Sequence, residues 1–315
     1  MKIKYVILLL IYLFIELFVT ACGSSPDDLD RPSGYIVAWG RDDDGQVSEL
    51  PSGNDFIEVS AGNQHSIALR KDGSIISWGR DTGGQVSGTP IGRIFIAVSA
   101  GYDYSLALRK DGTIVAWGFD HLDHVQNVPM GNDYIAISAS YDHCLALKKD
   151  GSIISWGRSY EGQLGNVNVS ELPRIGTFVA ISAGLSHSLA LHENGKIHAW
   201  GNDQLGSVND TPIENEFASI VAGARHSLAL KVDGSIAAWG WDLQNEVSDT
   251  PKNEGFVSLA VGYTHSLALN EDGSIIAWGQ DRNNFGLISD SPVGMGFVDI
   301  SAGDYHNLAI KAVEE

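Results

Sequence analysis

Cysteine is nearly absent from this sequence: Cys22 and Cys144 are the two in 315 residues. No Cys/His/Asn arrangement accompanies them, which argues against thiol catalysis. Basic residues are also scarce, 20 Lys and Arg against 39 Asp and Glu, for a formal net charge of -19. A surface of that sign repels nucleic acid phosphates and anionic lipid head groups, so no nucleic acid partner is expected. It suits a protein partner that carries a basic patch. Helical periodicity is missing, which excludes a helical solenoid. So are HExxH, P-loop and GxSxG motifs and the D-x-D-x-D-G spacing of a dedicated calcium loop. The expectation is therefore no enzyme, no cofactor and no metal site.

The first residues differ from the rest. Two lysines lie in Met1 to Lys4, an apolar run follows from Tyr5 to Val19 with Glu16 inside it, and Val19-Thr20-Ala21 leads into Cys22. Basic, apolar and small residues in that order read as a secretory signal, and the motif resembles the lipobox of bacterial lipoproteins. That resemblance implies residues 1–21 as signal peptide and a lipid (with palmitate) on Cys22. Residues 22–33, rich in Gly, Ser, Pro and Asp, read as a flexible tether. The mature chain is expected to be exported and lipid-anchored to a bacterial cell membrane. Gly23 after the cysteine points to outer-membrane sorting where two membranes exist.

What is abundant is self-similarity. The phrase Gly-x-Ile-x-x-Trp-Gly and its variants place Trp39, Trp78, Trp117, Trp156, Trp200, Trp239 and Trp278 at spacings of 39, 39, 39, 44, 39 and 39. The phrase Ala-Gly-x-x-His-Ser-Leu-Ala-Leu, with variants, places His65, Tyr104, His143, His187, His226, His265 and His306 in the same period. A lone proline marks each repeat, from Pro51 to Pro292. Each unit spells short strands separated by turns, and Asp-Gly, as at Asp72-Gly73, is the signature of a tight type I′ hairpin. A weak fourth strand is expected before each proline, as near Val125. Four antiparallel strands in about 40 residues is the arithmetic of a propeller blade.

Residues 34–315 are thus expected to form an all-β, seven-bladed β-propeller of four-stranded antiparallel blades. The first phrase, Tyr35 to Trp39, lacks its hairpin mate, and the last, Ile300 to Ile310, stops after two strands. The fragments complete one blade if His306 to Lys311 pairs with Tyr35 to Trp39, which removes two open edges. The repeated Trp, His and Ser are expected to be structural. Cys144 stands where other repeats mostly carry Ser, and reads as a small core residue. Six aspartates after Trp-Gly-x, Asp42 among them, read as turn caps.

Strand alternation puts the Gly-x-x-His turn and the post-Trp-Gly turn at one end of each blade. That end is the varied one. Tyr102, Asp103, Phe119, Tyr141, Asp142, Arg158, Tyr160, Trp241, Tyr263 and Tyr305 are its candidate protein-binding residues, since rings and placed charges fill the centres of interfaces. Trp241 is the one tryptophan outside the repeated set.

From Ala61 to Gln85, through His65-Ser66, Asp72-Gly73 and Trp78-Gly79, the repeat resembles that of the regulator of chromosome condensation family. The resemblance covers residues 34 to 311. It implies a seven-bladed propeller closed by both termini. In the eukaryotic regulator it goes with small-GTPase exchange and histone binding. The 39-residue period is shorter than the regulator's, and looks more like the secreted bacterial β-lactamase inhibitory type of the same repeat class. The expectation is a monomeric, extracytoplasmic, protein-binding propeller with an unidentified partner. Alternatives are an inhibitor of a secreted or periplasmic enzyme such as a β-lactamase, and a carbohydrate-binding or hydrolytic propeller.

Overall fold

The computed structural model describes residues 31–158, 162–164, 177–203 and 205–313. The fold is all-β and propeller-like. Among the described residues, five antiparallel sheets have three strands each, and a sixth has six. The sheet Phe95–Ala100, Tyr104–Arg109, Ile114–Gly118 is typical. Its middle strand is buried except for the last residue, because it packs against neighbouring sheets on both faces. That explains the near-continuous apolar run Ser-Leu-Ala-Leu rather than a clean alternation. Each first strand carries a register shift after its opening residue, as between Phe95 and Ala97, a β-bulge that adds twist.

The termini meet as expected. Gly34–Gly40 runs antiparallel to His306–Ala312, with Tyr35 opposite Lys311 and Trp39 opposite Asn307. Phe297–Ala302 continues that sheet on the far side. On the near side the connection to the sheet that starts at Phe56–Ala61 is a single register pair, Gly34 with Phe56.

Two details differ from expectation. The segment around Val125 is turn, not strand. Asp120 accepts hydrogen bonds from the Val125 and Gln126 amides at 2.9 and 3.0 Å. Asp42, Asp81, Asp203 and Asp242 grip the amides five and six residues on in the same way. A chain wound round a carboxylate cannot extend into a ladder. The Asp-Gly hairpin is also not type I′, which needs positive φ at both central residues. Gly73 has φ +80°, while Asp72 is not among the residues of positive φ. The bonds Gly73 N–H to Arg70 C=O and Arg70 N–H to Ser74 C=O, both 2.9 Å, close a three-residue loop that ends in a left-handed glycine. Asp72 holds it by accepting from the Ser74 amide and hydroxyl.

Two belts join neighbouring units. Each indole N–H donates to a carbonyl in the preceding post-Trp turn: Trp78 to Gln46, Trp117 to Gln85, Trp156 to His124, Trp200 to Gln163, Trp239 to Ser207, Trp278 to Glu246. Trp39 closes the circle on Leu287 at 3.0 Å. Deeper in, each repeat histidine bonds the next unit's serine: His65 to Ser105, His143 to Ser188, His187 to Ser227, His226 to Ser266 and, across the termini, His306 to Ser66. His265 bonds Asn307 instead, and Tyr104 meets Cys144 at 3.1 Å. The repeat's one Tyr and one Cys are therefore partners in one link. Burial drives the histidines down to about 4 for His65 and His187 and about 3 for His143, His226 and His306, so they are neutral at ordinary pH.

Candidate functional site

The two ends sort as strand order requires. Gly79 has φ +94°, and a Cβ there would stand 2.7 Å from the Gln64 carbonyl. The Trp-Gly turn thus lies on the Gly-x-x-His turn, sealed by Arg80 N–H to Gln64 C=O at 2.9 Å. At the other end the Asp-Gly turns lie on the post-proline links, as Gly73 does on Arg93. The residues after four of the prolines, Ile91, Met130, Ile213 and Val293, are almost fully exposed there. They come one to a sheet, and single exposed apolar residues are normal.

At the varied end the structure gathers side chains from distant repeats around the central axis. Tyr102 and Tyr141 have ring centroids 4.6 Å apart, and Tyr141 and Tyr263 6.1 Å. The Tyr141 hydroxyl donates to Asp304, which also accepts from Asn63 at 2.5 Å. Burial pushes the Asp304 carboxyl up to about 6, against the stabilising pull of those two donors. Burial and the nearby Asp304 charge push the Tyr141 hydroxyl well above its usual range. Tyr102, Tyr141 and Asp304 border a cavity of about 90 Å³.

Beside it runs an alternating stack. The Arg225 guanidinium lies between Trp241 and Tyr263, 5.2 and 5.8 Å from their centroids. Arg282 lies between Tyr263 and Tyr305, at 4.8 and 5.1 Å. Arg41 lies between Tyr305 and Phe285, at 5.2 and 5.4 Å. Each such contact contributes about 0.5–1 kcal/mol where exposed and more where desolvated. The stack fixes four rings before any partner arrives.

The expected residues thus divide. Tyr102, Tyr141, Tyr263, Tyr305 and Trp241 converge. Phe119 stands apart, stacked on His121 at 5.0 Å. Asp103 accepts from Gln85 at 3.3 Å, a turn contact. The Asp142 carbonyl accepts from the Arg158 amide at 2.7 Å, which ties both into the turn of their own repeat. Tyr160 and Cys22 lie outside the described residues. Arg41, Arg225, Arg282 and Asp304 belong to the cluster but were not among the expected residues. The sequence signal for them was a cation or acid at the varied phases. Their stacking joins neighbouring repeats, which periodicity alone does not pair.

Among the described residues, no group of three or more His, Cys, Asp or Glu could hold a metal ion. His121 and His124, three apart, have rings 6.1 Å apart, and His124 is stacked on Tyr104 at 4.2 Å instead. Burial pushes the Cys144 thiol far up, so it is inert.

Residues 56–85, 95–121, 134–163, 178–207 and 256–286 match the Regulator of chromosome condensation (RCC1) repeat. Five segments of the propeller are thus similar to the RCC1 repeat. No curated protein sequence matches the chain. Among solved structures, human WBSCR16 is similar at 15% identity and TM-score 0.71, over 90% of this chain and 100% of that one. Prp20p from Saccharomyces cerevisiae, whose binding to Gsp1p and histones has been described, is similar at 18% identity and TM-score 0.71, over 93% and 95%. Yeast RCC1 (Prp20) bound to Kap60 is similar at 19% and TM-score 0.70, over 90% of each chain. At these identities the likeness is one of fold.

These likenesses overturn the expected setting. They run to the RCC1 repeat, human WBSCR16 and yeast RCC1 (Prp20), not to a bacterial secreted lipoprotein or a β-lactamase inhibitor. The expectations of a lipid on Cys22, of export and membrane anchorage, and of an extracytoplasmic role do not hold. Neither does that of an unknown protein partner with membrane contact through the N-terminal lipid; the similar yeast protein is described with Gsp1p, histones and Kap60. The reason is one of information content. A basic, apolar and small-residue order constrains only hydropathy over some twenty positions, whereas the RCC1 match constrains residue identity in five repeats.

Proposed function

We propose that this RCC1-repeat protein is a non-enzymatic, protein-binding propeller of seven blades that captures its partner on the varied end, around Trp241, Tyr263, Tyr305 and Tyr102. The observation that carries the reading is the alternating stack of Trp241, Arg225, Tyr263, Arg282, Tyr305 and Arg41. Trp, Tyr and Arg dominate binding hot spots, and rings held in place before binding lose little entropy on contact. Seven blades are supported by the seven links in each belt and by the single pair that joins the two halves of the six-stranded sheet. Each blade would then have three strands and a carboxylate-capped turn in the place of a fourth. Gsp1p and histones, partners of the similar Prp20p, and Kap60 are the first candidates to offer it. The test is a pull-down with wild type and with Trp241→Ala and Arg282→Ala. Capture is expected to fall at least tenfold in both variants while their melting curves stay put. Undiminished capture would sink the reading.

A further inference from the structure

The opposite mouth of the axial channel is built differently. A cavity of about 170 Å³ there is lined by the first strand of every repeat. At the third position of those strands five repeats carry Ala97, Ala136, Ala180, Ser219 or Ser258, but the two beside the terminal closure carry Glu58 and Asp299. Each acid takes an amide from the following sheet, Val98 N–H to Glu58 at 3.1 Å and Val59 N–H to Asp299 at 3.0 Å. Against them sits Arg31, in the stretch expected to be tether. Its guanidinium donates to Glu58 at 3.1 Å and to the Ile96 carbonyl at 3.2 Å, and its side chain is 7% exposed.

We propose that the channel floor is a guanidinium-binding site, filled in this chain by its own Arg31. The two acids interrupt the repeat only where the chain enters just ahead of Gly34–Gly40, and a planar fork fits a carboxylate and a carbonyl together. Filling the site closes one mouth of the channel and pins the approach to the closing strand. Among the lining residues the titratable side chains are Arg31, Glu58 and Asp299. Burial pushes the pKa of both carboxyls up, the Glu58 charge adds to this at Asp299, and Arg31 opposes it at both.

The test is chemical rescue of the full chain. Arg31→Ala should lower Tm by about 2–4 °C, the scale for losing about 1–2 kcal/mol in a chain of this length. Methylguanidinium chloride at about 10 mM should restore part of that loss in the variant and leave wild type unmoved. Tetramethylammonium chloride, which offers charge without N–H donors, should restore none. In Arg31→Ala/Glu58→Gln/Asp299→Asn the methylguanidinium effect should vanish, and this triple variant should fold if Arg31→Ala alone does not. Equal responses of wild type and variant, an unmoved Tm in Arg31→Ala, or a triple variant no better folded than an unfolded single one would overturn the site. The floor lies at the opposite end from the partner-binding face, so failed rescue and failed capture are separate results.

Discussion

The buried belt and the exposed face use the same repeat phases to opposite ends. In the belt, position after position holds His and Ser, and a departure keeps its link: Tyr104 is answered by Cys144, and Asn307 takes the place of Ser opposite His265. On the face, the residues just before those histidines are of six kinds in seven repeats: Gln64, Asp103, Asp142, Ser186, Arg225, Thr264 and Tyr305. Each belt link must be made between neighbours in a dry interior, where an unpaired polar group costs about 1–3 kcal/mol. The face has no such constraint, so its residues vary singly. Uniformity marks what holds the ring, and variation marks what the ring presents.

Breaking the belt outright should have the largest effect. A chain ending at Asp304 loses the strand His306–Ala312 and leaves Gly34–Gly40 without its partner; no cooperative melt and little soluble protein are expected. Acid attacks the belt as a whole. Five histidines carry folded values of about 3 or 4 against 6.5 when unfolded. Below pH 6.5 the unfolded chain therefore binds more protons, and stability falls as pH drops toward 4. Asp299 and Asp304, raised to about 7 and 6, work the other way, and their contribution is lost as pH rises through those values. They are outnumbered. Urea midpoints should decline steadily from pH 6.5 to 4, and a flat profile would contradict a neutral belt.

A single link is a smaller target. His226→Ala empties a buried site and strands Ser266; a loss of about 2–4 kcal/mol in urea unfolding is expected. Tyr104→His alone should cost more than Tyr104→His with Cys144→Ser, which rebuilds the common link; a double-mutant cycle reads the coupling. Smallest of all, Trp241→Ala on the face should shift stability by no more than about 1 kcal/mol. A larger loss would mean that the arginine stack holds the ring as well as presenting rings to a partner.

The sequence was legible where one repeat could be compared with the next. Period, strand positions, the pairing of Tyr35–Trp39 with the C-terminal strand, the structural role of the histidines and the capping aspartates all follow from recurrence, because a closed ring imposes one environment many times. The turn that stands in place of a fourth strand and the hairpin type are not legible in the sequence. Both depend on where a carboxylate finds its amides, Asp120 at Val125 and Asp72 at Ser74, and composition does not give that geometry. The N-terminal segment has no repeat to be checked against, and there a hydropathy pattern led to a cellular setting that the family likeness corrected.

The varied face lies between these cases. The sequence by itself determined which end would vary and that Trp241, Tyr102, Tyr141, Tyr263 and Tyr305 would be there, since strand alternation fixes the end on which each turn lies. Only the tertiary structure decided that Arg225 and Arg282 slot between those rings, that Asp304 anchors Tyr141, and that Arg31 reaches Glu58 from outside the repeats. Those contacts join residues 27 to 163 positions apart or across neighbouring units, and such distances are set by closing the circle, not by any local preference of the chain.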